Sequence, residues 1–139
     1  MGRALREILY ISQVTKPLSE KDLDNLVKAS RSRNAALNVT GALIFDGKTF
    51  MQLLEGYPED LLGIYTSIFS DHRHHQIVTI CNGPINSRNF EDWSMHFKHK
   101  SPSDPDFHEL GGFLDAATYE NEAIGMARLI YDTEFRQSA

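Results

Sequence analysis

The sequence predicts an α+β fold in which two helices cover one face of a five-stranded sheet. Three observations support this prediction. The chain has 139 residues, which fits one domain and leaves little room for two. Short runs rich in β-branched and aromatic residues alternate with segments of helical apolar spacing. Two of these runs flank Asp46-Gly47-Lys48, a connection typical of a hairpin because Gly47 tolerates a positive φ.

The predicted elements follow in the order strand, helix, strand, strand, helix, strand, strand. The first helix starts at Ser19, whose hydroxyl can cap free amides, with Asp22 near the positive end of the dipole. The second starts at Pro58, where a missing N–H costs nothing. This order resembles a ferredoxin-like βαββαββ sandwich. The predicted strands are 8–12, 42–45, 50–54, 77–81 and 93–97; the first helix is roughly 19–33, and the second carries a stripe of Leu61, Ile64, Tyr65 and Ile68.

A C-terminal helical extension is predicted after the sheet. We divide the chain into a domain over residues 1–100 and an extension over 101–139, in which roughly 118–135 has helical spacing. With both helices on one sheet face, the other face needs cover from the terminal helix or from a partner subunit. At least a homodimer is therefore predicted, and the face concerned carries Leu9, Ile11, Met51 and Leu53.

Composition excludes several classes of protein. The formal net charge of −5 argues against nucleic-acid binding through a basic face. No apolar run approaches the roughly 20 residues of a membrane span. One cysteine, Cys81, cannot form an internal disulfide and suits a reducing compartment. The prediction is a soluble, cytoplasmic protein without membrane or nucleic-acid partners.

Three polar residues could have a functional role, although each also has a structural explanation. Gln52 lies within an apolar strand, where an amide costs free energy unless it is hydrogen-bonded. By alternation Tyr10 lies on the helix-facing side of the first strand, as a core tyrosine or a ligand contact. Asn34 comes at the end of the first helix, where asparagine commonly caps. Taken singly, each is more often structural.

The run Asp71-His72-Arg73-His74-His75 invites comparison with a metal site. Near-consecutive histidines that leave a helix cannot all converge on one ion, and no distant Cys/His pair has zinc spacing. A polar helix terminus explains the run better, so no metal is predicted. The sequence also lacks a nucleophile elbow and a phosphate loop.

Taken together, these positions resemble the BLUF domain, a family of blue-light sensors that use flavin adenine dinucleotide (FAD). The resemblance runs from about residue 6 to residue 100, with the motifs in the family's order and separation. These motifs are Tyr10 with Ser12; Arg33-Asn34 followed by Val39-Thr40-Gly41; Gln52 within Phe50-Met51-Gln52-Leu53-Leu54-Glu55-Gly56; Asp71-His72-Arg73-His74; and Asn89-Phe90-Glu91-Asp92-Trp93-Ser94-Met95.

The resemblance implies a photoactive group of four residues. Tyr10 matches the light-active tyrosine, and Gln52 matches the glutamine that links it to the flavin N5/O4 edge. Trp93 and Met95 match a pair on the last strand that relays the switch. A carboxamide suits this task because it has a donor end and an acceptor end and can change its bonding by rotation or tautomerisation.

The resemblance also implies how FAD is bound. The isoalloxazine ring would lie between the two helices, over the face that bears Tyr10 and Gln52. Asn34 matches the asparagine at the flavin carbonyl and N3–H edge. Arg33 stands where other members have His or Asn, so a stacking role is not carried over. The implied FAD-binding residues are Tyr10, Asn34, Gln52, Asp71, Arg73 and His74.

The resulting prediction is a photoreceptor rather than an enzyme. About 40 residues after Phe97 are too few for an output domain, so we expect an unidentified downstream protein partner or a change in self-association. Two alternatives remain open. One is a flavin-free ferredoxin-like interaction module. The other is an enzyme on the same fold, either a small flavin oxidoreductase or an acylphosphatase-like hydrolase, although residues 8–16 lack the glycine of a phosphate cradle.

Overall fold

The computed structural model describes residues 4–91 and 94–99 and confirms the predicted order of elements. The predicted C-terminal helix lies outside the described residues. No helix in the described part of the chain is long and apolar enough to cross a membrane. The elements are β1 (Leu5–Val14), α1 (Glu20–Ala36), β2 (Thr40–Phe45), β3 (Thr49–Gly56), α2 (Pro58–Ser70), β4 (His74–Ile85) and β5 (His96–His99).

Local signals place both helix starts and the hairpin. The Ser19 hydroxyl accepts the N–H of Asp22 at 3.1 Å, which confirms the predicted cap of α1. Pro58 occupies the first turn of α2, as predicted. Between β2 and β3, Oδ1 of Asp46 accepts the N–H groups of Lys48 and Thr49, and Gly47 has φ of +96°. These local contacts direct the chain into the antiparallel β2–β3 pair.

The five strands form one sheet in the order β4-β1-β3-β2-β5. All neighbours are antiparallel except β2 and β5, which are parallel. Strands β1 and β3 therefore occupy the middle, and their register places Tyr10 directly opposite Gln52. Two register shifts interrupt the β1–β4 ladder, and Gln76 in that region has φ of +52°.

The two helices pack on the same sheet face, the one that bears Tyr10 and Gln52. One core cluster joins Ile8 and Leu54 to Leu61, Ile64 and Ile68 of α2. A second joins Leu43, Phe45, Phe50 and Met95 to Leu23 and Val27 of α1. Burying these side chains supplies the main favourable free energy of the fold. Gln52 is a buried polar residue of this face and belongs to neither apolar cluster.

The opposite sheet face is buried as well. Leu9, Ile11, Met51 and Leu53 are each at most 2% exposed within the single chain. The predicted need for cover on this face is therefore met without a partner subunit.

The last strand differs from its prediction. It covers His96–His99 rather than 93–97, because its pairing starts where His96 meets Ala42 of β2. Met95 therefore precedes the strand instead of belonging to it. The expected place of Trp93 and Met95 on the last strand is therefore wrong for Met95, and Trp93 lies outside the described residues.

Candidate functional site

Three buried side chains from separate parts of the chain form one line of hydrogen bonds beneath the helices. The Tyr10 hydroxyl on β1 donates to Oε1 of Gln52 on β3. Nε2 of Gln52 donates in turn to Sδ of Met95 at 3.3 Å. All three residues are at most 4% exposed. The structure thus brings together three of the four residues assigned to the light response.

The two partners of the Gln52 amide respond differently to its orientation. A phenol hydroxyl can donate or accept, so Tyr10 can bond either end of the amide. A thioether sulfur can only accept, so Met95 can bond only the NH₂ end. Rotation of the amide by half a turn therefore keeps a bond to Tyr10 and loses the bond to Met95. The two orientations differ most at Met95.

Tyr10 lies in surroundings that keep its phenol protonated. Burial raises the pKa of the Tyr10 hydroxyl well above its ordinary value, although the nearby Arg33 charge opposes that rise. The Tyr65 ring stacks on Tyr10 with centroids 5.8 Å apart, and the hydroxyl of Tyr65 is bonded to Thr79 on β4. The Tyr10 proton is therefore available for donation to Gln52 in the resting protein.

His74 is held between a helix and a strand. Its Nε2 lies 2.7 Å from the carbonyl oxygen of Ile68, which can only accept, so Nε2 carries a hydrogen. Its Nδ1 lies 2.7 Å from the Ser12 hydroxyl on β1. In the neutral ring, Nδ1 therefore accepts from Ser12. The ring contacts Tyr10 edge-on, with centroids 6.4 Å apart, so the predicted His74 lies beside Tyr10.

Asp71 and Arg73 form an ion pair at the opening of the site. The guanidinium donates to both carboxylate oxygens over 2.5–3.0 Å, and the Arg73 N–H also donates to Asp71 at 2.9 Å. These bonds from Arg73 hold the pKa of the Asp71 carboxyl below its usual value, and the pKa of Arg73 is raised in return. Both side chains are partly exposed, so the pair contributes more to the shape of the opening than to stability.

Asn34 is fully buried near the end of α1, and its side chain already has partners. Its Nδ2 donates to the carbonyl of Ser94 at 2.8 Å, and its Oδ1 lies 3.4 Å from the Arg33 guanidinium. The side chain thus joins α1 to the residue before Met95. The capping alternative is not what the side chain does, because its bonds go to residue 94 and to Arg33.

Several of these residues line a cleft that is partly open to solvent. Five of the predicted residues line it, whereas Asn34 and Met95 do not. Sequence reasoning missed the α1 wall, although Leu26, Ser30 and Arg33 follow helical spacing after the cap. Its lining consists of Tyr10, Leu26, Ser30, Arg33, Leu43, Phe50, Gln52, Ile68, Asp71, Arg73 and His74.

The cleft has the chemistry that a flavin ring requires. A flat heteroaromatic ring needs apolar walls, here Leu26, Phe50 and Ile68, with a few polar groups to fix its edges. Gln52 supplies a buried carboxamide, and burial lowers the pKa of the Arg33 guanidinium that shares the cleft. The residues present therefore fit the ring of FAD. Among the described residues, no group of three or more His, Cys, Asp or Glu could hold a metal ion.

Comparison with solved structures supports the architecture. The structure "BlrB - a BLUF protein, dark state structure" superposes with a TM-score of 0.75 at 27% identity, covering 96% of this chain and 99% of that one. The "BlrP1 BLUF" structure has a TM-score of 0.64 at 34% identity, covering 71% of this chain and 67% of that one. The α+β, ferredoxin-like prediction is confirmed.

Sequence comparison points to the same family. "Photoactivated adenylate cyclase subunit beta" of Euglena longa is 36% identical over 92 residues, or 66% of this chain and 11% of that protein. "Blue light- and temperature-regulated antirepressor BluF" of Escherichia coli (strain K12) is 37% identical over 76 residues, or 55% of this chain and 19% of that protein. The chain spans only about a tenth to a fifth of the length of these relatives. The family model "BLUF: Sensors of blue-light using FAD" matches residues 5–96, so this protein belongs to the BLUF family of blue-light sensors, which bind FAD.

Proposed function

We propose that FAD binds in the cleft between α1 and α2, and that the Tyr10–Gln52–Met95 line is the light-driven switch. The observation that carries this proposal is the Gln52 amide, buried in the cleft wall and bonded at both ends. The residues that would hold FAD are those predicted from the sequence: Tyr10, Asn34, Gln52, Asp71, Arg73 and His74.

The chain's own residues perform the switching. When bound, FAD would supply a chromophore for blue light whose excited state can accept an electron and a proton from a neighbouring donor. Tyr10 is that donor, because its protonated phenol stands beside Gln52. The momentary loss of the Tyr10 proton removes the bond that fixes the Gln52 carbonyl. Gln52 then rotates or tautomerises, and return of the proton to Tyr10 locks the new bonding pattern.

The rearrangement reaches the rest of the protein through Met95. After rotation Gln52 no longer donates to Sδ of Met95, so the arrangement before β5 loses one contact. A signal requires two arrangements that differ in free energy for a partner, and the loss of this contact provides the difference.

An absorption spectrum tests the proposal directly. The purified protein should be yellow, and blue light should shift its visible band slightly to the red, with full return in darkness. Acid precipitation should leave the flavin in the supernatant at one per chain. A protein that bleaches with a nicotinamide donor, or that is colourless after reconstitution with FAD, would contradict the proposal.

The output is a partner protein rather than a reaction. The names of the two relatives describe a photoactivated cyclase and a light-regulated antirepressor, and in both the matching region is a small part of the protein. We therefore propose that this domain has no catalytic activity itself and acts on a protein partner. The division at residue 100 is supported by the family match, which ends at 96. A cytoplasmic location is supported by the single cysteine.

A homodimer is also part of the proposal, although not through the sheet face first considered. Leu9, Ile11, Met51 and Leu53 are buried within one chain. Among the described residues, the large apolar side chains that are exposed are Leu37, Leu62 and Phe69. Leu62 and Phe69, both on α2, are seven positions apart and therefore on the same side of the helix. Sedimentation at micromolar concentrations should give a dimer, and a monomer throughout would contradict this part.

A further inference from the structure

A second polar side chain is buried on β3, three residues after Gln52 and on the opposite sheet face. Glu55 is 0% exposed. Its Oε2 accepts the N–H of Asn89 at 2.7 Å, and its Oε1 accepts the N–H of Phe90 at 3.0 Å. Oε1 also accepts the Thr40 hydroxyl at 3.1 Å. A buried carboxylate that accepts three hydrogen bonds holds the groups that donate them firmly in place.

Arg88 adds two hydrogen bonds close to the Glu55 carboxylate. One of its guanidinium nitrogens donates to the Thr40 hydroxyl at 2.9 Å and to the main-chain carbonyl of Glu55 at 3.0 Å. The guanidinium also lies 5.9 Å from the centre of the Tyr57 ring. The residues from 88 to 95, here called the relay segment, are thus fixed at their start to the ends of β2 and β3.

The other end of the relay segment is held on the opposite side of the sheet. The Ser94 carbonyl accepts Nδ2 of Asn34 at 2.8 Å, and the Met95 carbonyl accepts Nε of Arg31 at 3.0 Å. Sδ of Met95 accepts from Gln52. Only four residues lie between Phe90 and Met95, so these two positions are at most about 18 Å apart. A connection this short limits how far Phe90 and Met95 can move independently of each other.

We propose that Glu55 is a positioning residue for the light response: by holding Asn89 and Phe90 it sets where Met95 stands against Gln52. The inference rests on the proposed function of the Gln52–Met95 contact. Glu55 does not line the cleft, and two of its hydrogen bonds come from Asn89 and Phe90, so it acts through the relay segment. Its bonds favour the arrangement in which Met95 accepts from Gln52, which is the dark arrangement.

The test is the rate of dark recovery in Glu55→Gln. The replacement keeps the size of the side chain but turns one acceptor into an NH₂ group, so either Asn89 or Phe90 loses its acceptor. We expect the dark spectrum and the red shift to persist, because Tyr10 and Gln52 are unchanged. We expect thermal recovery to be at least threefold slower, because the dark arrangement is weakened relative to the illuminated one.

Asp46→Asn is the matched control. Asp46 also accepts two backbone N–H groups, yet both go to one oxygen, which asparagine retains, and the turn lies at the other end of the β2–β3 pair. Its recovery should equal that of the parent. A folded, photoactive Glu55→Gln protein that recovers at the parent rate would overturn the inference.

Two further variants separate this inference from the proposed function. Met95→Leu removes the sulfur acceptor, and in that background Glu55→Gln should no longer change the recovery rate; an undiminished effect would show that Glu55 does not act through Met95. Arg88→Met leaves the carboxylate in place and serves if Glu55→Gln does not fold; about twofold slower recovery supports the inference, and the parent rate overturns it. If the parent shows no red shift, or if Met95→Leu recovers like the parent, the proposed switch itself is wrong.

Discussion

Gln52 and Glu55 are both polar and buried on the same strand, yet they are bonded in opposite ways. Gln52 has side-chain partners, a phenol and a thioether, and it lines a cleft. Glu55 is bonded to two backbone N–H groups and a hydroxyl, and no part of the cleft reaches it. The side-chain partners of Gln52 can reorient, whereas the backbone partners of Glu55 move only if the chain moves.

The comparison shows that one strand can hold two buried polar side chains by two different kinds of partner. A polar group can change partners at low cost when each partner can also change its role as donor or acceptor. It is held in place when an exchange would leave a buried N–H without an acceptor, a loss of about 1–3 kcal/mol. Four predictions test this difference between Gln52 and the fixed parts of the site, in order of decreasing effect.

Tyr10→Phe should abolish the normal red-shifted state while leaving flavin bound. The phenyl ring keeps the packing against Tyr65, but it has no proton to lend and no hydroxyl to hold the Gln52 carbonyl. Difference absorption under blue light measures the yield. Tyr57→Phe, outside the cleft, is the control and should cycle like the parent. Normal formation and decay of the red-shifted state in Tyr10→Phe would disprove the proposed switch.

Gln52→Leu should also remain yellow and lack the normal red shift. Leucine fills a similar volume but provides no amide, so neither Tyr10 nor Met95 has its partner. Light-minus-dark spectra, together with flavin content per chain, measure both parts of the expectation. Gln13→Leu removes an equivalent amide from β1 outside the cleft and should leave the photocycle unchanged. A Gln52→Leu protein with the parent's spectrum would mean that the amide is only structural.

Asn34→Ala should lower both stability and flavin affinity. The Ser94 carbonyl loses its donor, which costs about 1–3 kcal/mol in the free energy of unfolding of the flavin-free protein. If Asn34 also contacts the flavin, affinity should fall by about tenfold, equivalent to about 1.4 kcal/mol. Denaturant melts of the flavin-free protein and flavin titrations separate the two effects. Asn25→Ala on the exposed side of α1 is the control; a stability loss with unchanged affinity would remove Asn34 from the flavin contacts.

Asp71→Asn should have the smallest effect, and the effect should depend on pH. Because Arg73 lowers the pKa of Asp71 in the folded state, the stabilisation is present above the ordinary carboxyl pKa. It is lost as the pH falls through the lowered value. The variant should therefore lose under about 1 kcal/mol at pH 7 and nothing in stronger acid. Thermal melts at several pH values, with exposed Asp24→Asn as control, measure this; equal losses at all pH values would contradict it.

The sequence predicts this fold well where local contacts decide the structure. The Ser19 cap, the Pro58 start and the Asp46 turn each depend on neighbours within three residues. The final strand was misplaced because its start depends on pairing with Ala42 of β2, more than fifty residues earlier. Periodicity alone does not contain that register.

The sequence likewise predicted the candidate site only in part. Alternation placed Tyr10 and Gln52 on the helix-facing side, but only the β1–β3 register makes them direct opposites. The bonds to Met95 and Ser94 join residues far apart in sequence, so no pattern reveals them. Glu55 was overlooked as a site residue, although a carboxylate at the end of an apolar strand is itself a signal of buried partners.

The short pairing of β5 determines how much free energy is needed to displace this strand. Among the strands that the structure describes, β5 is paired with β2 alone and only over four residues. At about 0.5–1.5 kcal/mol net per hydrogen bond, such a short ladder is held by only a few kcal/mol. Reversing a population from 1:99 to 99:1 takes about 5.5 kcal/mol. The last strand is therefore attached by an amount comparable to one switching event, whereas the central strands, paired on both sides, lie far above that threshold.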